Sequence, residues 1–183
     1  QALESAGTAI VLLDLEGVVS YANPRMHSLA GQHPQALVRK GAHLDFAALC
    51  ARAPDLKKLV SGQQHAEVEV RFERSVFGVA SNPVNNLAGR HAGYVLEWTD
   101  LSEQRHAEDA IKTLLTAANA GQLDDRIEAR GFSGFTGWIA ESMNGLLDTV
   151  SVPIKETNKV MQAVAAGDLT RDIAGQYQGE FAR

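Results

Sequence analysis

The chain has 183 residues, with 17 Lys and Arg against 22 Asp and Glu, a net charge of −5 and 45% hydrophobic residues, enough for one globular domain plus an extension. That balance offers no basic footprint for nucleic acid, and no run reaches the 18 or so apolar residues of a membrane span. The single cysteine, Cys50, rules out an internal disulfide and agrees with a reducing compartment.

Residues 8–14 (TAIVLLD) and 18–22 (VVSYA) read as two strands joined by a turn at Leu15-Glu16-Gly17, and Asn23-Pro24 stops the second. Residues 24–30 and 34–39 suit short helical turns, followed by a loop around Gly41. Residues 45–60 carry Phe46, Leu49, Leu56 and Val60 with Pro54 interrupting, which predicts two short helices. Residues 65–72 alternate, with Ala66, Val68, Val70 and Phe72 on one face and Glu67, Glu69 and Arg71 on the other, as a half-buried antiparallel strand does. Residues 75–84, ending at Asn82-Pro83, and residues 91–100, entered through Gly89 and Gly93, continue the meander. Residues 1–103 are therefore expected to form an α+β domain, a five-stranded antiparallel sheet with helices gathered on one face.

The last third says the same thing twice. Residues 117–135 (AANAGQLDDRIEARGFSGF) and 163–181 (AVAAGDLTRDIAGQYQGEF) share Ala117/Ala163, Gly121/Gly167, Leu123/Leu169, Ile127/Ile173 and Phe135/Phe181 at a spacing of 46, and such a period marks stacked supersecondary units. Each copy ends a helix at a glycine, crosses a connector and restarts a helix near the phenylalanine. Between the copies, Ile139, Leu146, Pro153 and Val160 recur every seven residues, as do Met143, Val150, Thr157 and Val164, giving a heptad seam. A helix unbroken over residues 135–166 would need a partner helix for that stripe, most simply the same helix of a second chain. Pro153 reads as a kink and a junction between the two units. The first residue, Gln1, and a second copy that stops just as its last helix begins lead to the expectation of an excised, cytoplasmic piece whose output domain lies downstream.

The repeat resembles tandem HAMP domains, with Gly121, Leu123 and Ile127 in one connector, Gly167, Leu169 and Ile173 in the next, Pro153 where the family often has a proline, and Glu180 where an acidic residue opens the second helix. The resemblance implies an all-α, parallel four-helix bundle in a homodimer that relays conformational change, with one unit over residues 104–151 and the start of another over 152–183. The first 103 residues resemble a PAS domain, carried by Leu13-Asp14-Leu15-Glu16-Gly17, Tyr21-Ala22-Asn23, Asn82-Pro83-Val84 and the closing Glu97-Trp98-Thr99-Asp100-Leu101-Ser102-Glu103. The closing run is similar to that of PAS domains in methyl-accepting chemotaxis proteins. Asp100-Leu101-Ser102 matches the family's Asp-x-Thr exit motif with serine for threonine; the acidic side chain is expected to bind backbone at the sheet edge while Ser102 caps the outgoing helix.

In the haem-binding branch of these proteins a histidine ligates iron and a tryptophan on the last strand meets the gas. Trp98 matches that tryptophan, whereas Cys50 stands where the histidine is expected, with His43 nearby as a competitor. Haem b, FAD and no cofactor all stay open; Trp98 can equally be an ordinary core aromatic, and for Cys50 the reading as a small buried apolar residue is the preferred one. His27, His33, His65, His91 and His106 show no metal spacing and read as surface or loop residues. Asp124, Asp125, Arg126, Glu128 and Arg130 read as a solvated charged face. No phosphate loop and no convergent nucleophile and base are visible, so the expectation is a non-enzymatic sensor and relay of a chemotaxis transducer. The alternatives are a PAS-HAMP input module of a histidine kinase or cyclase, and a ligand-free dimerisation spacer.

Overall fold

The computed structural model describes residues 4, 6–37, 39–40 and 43–182. They fall into two units, Gln1–Arg105 and His106–Arg183.

The first unit opens with β1 (Ala9–Leu13) and β2 (Val19–Ala22), followed by α1 (Pro24–Gln32), β3 (Arg39–Lys40), β4 (His43–Leu44), α2 (Phe46–Arg52) and a 3-10 helix over Pro54–Val60. It closes with β5 (Ala66–Phe72), β6 (Ser75–Asn85) and β7 (His91–Asp100). The five long strands form one antiparallel sheet in the order β2-β1-β7-β6-β5, the sheet with short helices expected of a PAS-like fold. The side chains of β5 alternate as its sequence pattern predicts, with Val70 and Phe72 buried and Glu67, Glu69 and Arg71 outward. One apolar cluster fills the space between sheet and helices; in it Val11, Leu37, Leu49, Leu56, Phe77, Val79 and Leu96 lose all contact with solvent.

Three local expectations give way. Residues 34–36 make the turn expected of them, closed by the Leu37 N–H on the His33 carbonyl, but Arg39–Lys40 pairs with His43–Leu44 as a small second sheet; the loop tip at Gly41 lies outside the described residues. Asn82-Pro83 does not end β6, because β5 stops opposite Ser81 and leaves Pro83 paired only with Tyr94 of β7. A proline is tolerated where a strand has a neighbour on one side only. His33, His65 and His91 are not simply surface residues: His33 and His65 hydrogen-bond across the fold, and His91 packs edge-on against Tyr94.

The second unit takes up most of α3 (Ser102–Asn119), then a connector with a 3-10 turn at Ala129–Gly131, then α4 (Gly134–Ala165) and a 3-10 turn at Gly179–Ala182. At 32 residues, α4 is about 48 Å long. It continues through Pro153, so the junction expected there does not interrupt the helix. Pro153 is buried instead, as part of a groove of about 380 Å³ shared with Ile154, Ile173, Tyr177 and Phe181.

Asn23 shows how the first unit is locked. Wholly buried, it accepts from the Ile10 and Met26 N–H groups on one oxygen and donates to the Thr8 carbonyl; it therefore caps α1 and ties it to β1. Asn23→Ala removes the cap and strands buried backbone groups; about 2–4 kcal/mol of stability should be lost in urea denaturation. Asn23→Asp keeps both accepted bonds and should lose less.

Candidate functional site

The exit motif sits where β7 passes into α3. Asp100 closes the strand, and its Oδ1 accepts the Ser102 N–H at 2.9 Å. Ser102 Oγ accepts the Val76 N–H at 2.9 Å, and the Leu101 N–H donates to the Val76 carbonyl at 2.8 Å. The expected roles are thus exchanged: the carboxylate satisfies an N–H at the start of α3, while the hydroxyl reaches the sheet at β6. The cause lies in the direction of exit, since Leu101 packs its side chain over Gly78, where an added Cβ would come to 3.1 Å, and this turns Ser102 toward Val76. One turn into the helix, Arg105 donates to Glu69 of β5 at 2.6 and 2.9 Å.

His33, which closes α1, completes this site and was missed because its spacing suggests nothing. Its Nε2 lies 2.7 Å from Asp100 Oδ2 and its Nδ1 lies 2.9 Å from Ser75 Oγ. Burial pushes the Asp100 carboxyl up, but its bonds to Ser102 and to His33 outweigh that and hold it below the ordinary value.

Behind the motif, Trp98 is 2% exposed and packs edge-on against Phe77 with centroids 5.9 Å apart. Its indole nitrogen is buried with no hydrogen-bond partner among the described residues, an arrangement that native cores seldom leave unexplained. Trp98 also lines a cleft of about 280 Å³ with Thr8, Arg25 and Leu29. Cys50 lies on α2 inside the apolar cluster, and burial pushes its thiol up despite the opposing charge of Lys57. A neutral buried thiol is a poor iron ligand, because ligation needs the thiolate. Cys50 lines neither that cleft nor the one beside His33. His43 falls on β4, and its side chain lies outside the described residues. The residues named for haem are therefore not gathered into one visible seat.

In the second unit both glycine stops are built alike. Gly121 and Gly167 take φ of 81° and 86°; the Gln122 and Asp168 N–H groups reach back to the Ala117 and Ala163 carbonyls, each at 2.9 Å, as in a glycine-terminated helix end. The 46-residue repeat in sequence is thus a repeat in hydrogen bonding. Beyond the caps the copies differ. Ile127 is buried with Leu114 of α3 and Ala140 of α4, with Met143 and Leu147 packed around them, and Leu123 is half-buried. Leu169 and Ile173 are 77% and 48% exposed. Glu180 falls on the last 3-10 turn, just before Phe181.

The first connector is held to α4 by pairs of side chains, of which the charged ones lie at the surface. Asp124 pairs with Lys155, Arg126 donates to Asp148 at 2.6 Å, and Asn144 takes the Ile127 N–H at 2.9 Å while giving its own N–H to the Ile127 carbonyl at 2.8 Å. Asp124, Asp125, Arg126, Glu128 and Arg130 all stay at the surface, as their charge pattern suggests. As the chain advances from Asp124 to Ile127 its partners descend from Lys155 to Asn144, so the connector runs antiparallel to α4 and returns the chain to Gly134. Helices α3 and α4 consequently run the same way. The second connector is gripped from the preceding helix: Glu156 of α4 accepts the Ala174 and Gly175 N–H groups at 3.0 and 3.2 Å and the Tyr177 O–H. The Tyr177 bond, more than the backbone donors, holds the Glu156 carboxyl below its ordinary value.

Outside these contacts α4 keeps an unpartnered apolar stripe. Leu146 is 66% exposed, Met161 62% and Val164 43%, and Phe135 and Trp138 stack on each other at its start. Among the described residues no helix is long and apolar enough to cross a membrane, and no group of His, Cys, Asp and Glu could hold a metal ion.

Residues 132–183 match the HAMP domain family. Over 192 aligned positions the chain is 30% identical to methyl-accepting chemotaxis protein McpB of Pseudomonas aeruginosa, an alignment covering 98% of this chain and 28% of that protein. The chain thus spans less than a third of this curated relative. Among solved structures it is similar to the Aer2 receptor from Vibrio cholerae, a dual PAS-heme oxygen sensor (TM-score 0.44, 16% identity, 51% of this chain and 94% of that one). It is also similar to the PAS domain of the histidine kinase ThkA (TM-score 0.37, 18% identity, 51% and 98%). At those scores neither likeness bears on ligand or mechanism. The HAMP match starts at residue 132 and covers α4 and the second connector, so one HAMP domain is matched and it does not begin at Pro153. The chain is a PAS-like fold followed by a HAMP domain, related to a methyl-accepting chemotaxis protein.

The lowered Asp100 carboxyl has a stability consequence. It contributes stability above the unfolded value of about 3.9 and loses it as pH falls through the lowered native value. Acidification from pH 5 toward pH 3 should lower the melting temperature of the wild type more than that of Asp100→Asn. At pH 7 the variant should be the less stable of the two.

Proposed function

We propose that this chain is the sensory and relay module of a chemotaxis transducer, with the PAS-like unit as input and the helical unit as the outgoing relay of a homodimer. The observation that carries it is the continuity of Asp100, Leu101 and Ser102 from β7 into α3. A displacement at the sheet has to enter α3, because the first turn of that helix is bonded to β5, β6 and β7. The helical unit then holds two packings of which an input selects one, the way a small local shift is amplified elsewhere. In this scheme both connectors act as HAMP connectors. The first, with Gly121, Leu123 and Ile127, docks within the chain, while Leu169 and Ile173 of the second await the neighbouring helices of a dimer.

The sensed molecule occupies the region of Trp98, whose unpartnered indole N–H offers a donor to a small acceptor-bearing ligand. Haem b and a flavin are the cofactor forms of this proposal; Cys50, a neutral buried thiol outside the Trp98 cleft, does not fit the iron in the haem form, which leaves His43 as its candidate ligand. Such a module belongs in the cytoplasm, works without catalysis and hands its signal to a downstream domain. The same module ahead of a kinase or cyclase would use the same geometry, and in a ligand-free spacer the core would be solid.

Sedimentation equilibrium is expected to give a dimer at high concentration. Leu146→Asp, at a position exposed in the single chain, should shift the protein to monomer with little change in the melting of the PAS-like unit. A persistent wild-type monomer would count against the relay. Purified protein should show a Soret or flavin absorption if a cofactor is carried; a bare spectrum with no uptake of added haemin leaves the small-molecule form and removes the haem one.

A further inference from the structure

Helix α1 ends at His33, whose backbone N–H closes the helix on the Leu29 carbonyl. The ring is 19% exposed and stands edge-on to Phe77 with centroids 5.1 Å apart, and Phe77 in turn meets Trp98. Both ring nitrogens are engaged, one by the last residue of β7 and one by the first residue of β6. A single imidazole therefore lies between the aromatic pair of the core and the carboxylate that holds the start of α3. We infer that His33 is a positioning residue of the exit motif, passing displacements of the Phe77–Trp98 pair to Asp100 and Ser102 and setting, through its own protonation, how firmly Asp100 is held. The inference rests on α3 being the outgoing element.

The chemistry follows from the partners. An ionised carboxylate only accepts, so Nε2 carries a proton in either charge state. In the neutral ring Nδ1 accepts from the Ser75 hydroxyl. In the protonated ring Nδ1 donates to that same oxygen, and the contact with Asp100 becomes a charge-assisted hydrogen bond. The change asks only for rotation of a hydroxyl, so the site accommodates both states in one geometry while altering the grip on Asp100. Facing the ring are Asp100 from β7 and, in the adjoining cleft, Glu73 and Arg74 from the turn between β5 and β6. Arg52 of α2 holds the Gln35 and Ala36 carbonyls just past the ring, and Arg25 of α1 lines the cleft beyond Asp100.

The test is an NMR titration of the 183-residue chain from pH 5 to 9, following the His33 ring signals and the amides of Val76 and Ser102. In the wild type the two amides should shift with the midpoint of the His33 ring. His33→Gln keeps an N–H able to reach Asp100 but does not titrate, and it should flatten the Ser102 profile while leaving the sedimentation behaviour unchanged. His33→Ala should flatten it too and speed amide exchange at residues 102–105 severalfold. A Ser102 amide that ignores the ring in the wild type, or titrates identically in His33→Gln, overturns the inference; where a variant does not fold, the wild-type titration decides. Because the titration is readable in a monomer, a failure to dimerise would count against the relay and leave this outcome separate.

Discussion

Backbone groups leaving a helix or strand must find partners, and this chain meets that demand with single polar side chains, each clamping more than one group. Asn23 takes two N–H groups and one carbonyl where β2 turns into α1. Asp100 and Ser102 share the task where β7 becomes α3. Asn144 holds both backbone groups of Ile127, and Glu156 holds the two consecutive N–H groups of Ala174 and Gly175. An unpaired buried backbone group costs on the order of 1–3 kcal/mol, so each clamp fixes the angle at which the chain turns. The apolar cluster of the first unit determines that a sheet and helices stack, and the clamps determine where the chain leaves that stack.

This division explains what was legible in the residues. Strand alternation over residues 65–72, the glycine stops and the 46-residue spacing come from periodicity, which a one-dimensional pattern displays directly. The Asp-x-Ser exit was visible as a motif, but the exchange of its two roles was not, because the exchange follows from Leu101 seating on Gly78, a contact between distant residues. His33 was invisible for a similar reason: its partners lie 42 and 67 residues away. Pro83 reads as the end of a strand and Pro153 as a kink and junction in a helix. Each is tolerated through something the sequence does not show, a missing neighbour strand in one case and a groove shared with the second connector in the other.

The two connectors differ in how their grip responds to the surroundings. Asn144 is a neutral amide in a half-buried setting, and its two bonds to Ile127 do not depend on pH. Glu156 uses a carboxylate, accepts three donors and sits nearer to solvent. Protonation of Glu156 would loosen the second connector, whereas salt would act on the ion pairs that Asp124 and Arg126 make in the first. The copies share caps and spacing, and they diverge in the chemistry that docks them.

Helix α4 carries both grips on one continuous rod. Asn144 and Glu156 are twelve residues apart, roughly 18 Å along the axis and about 120° around it, so the two connectors approach the helix from different sides. An axial rotation of α4 would therefore swing both connectors in the same sense, like two cams on one shaft. Between them lies Pro153, which lacks the N–H that would bond one turn back. That residue is the point at which torque entering at one cam would leak before reaching the other.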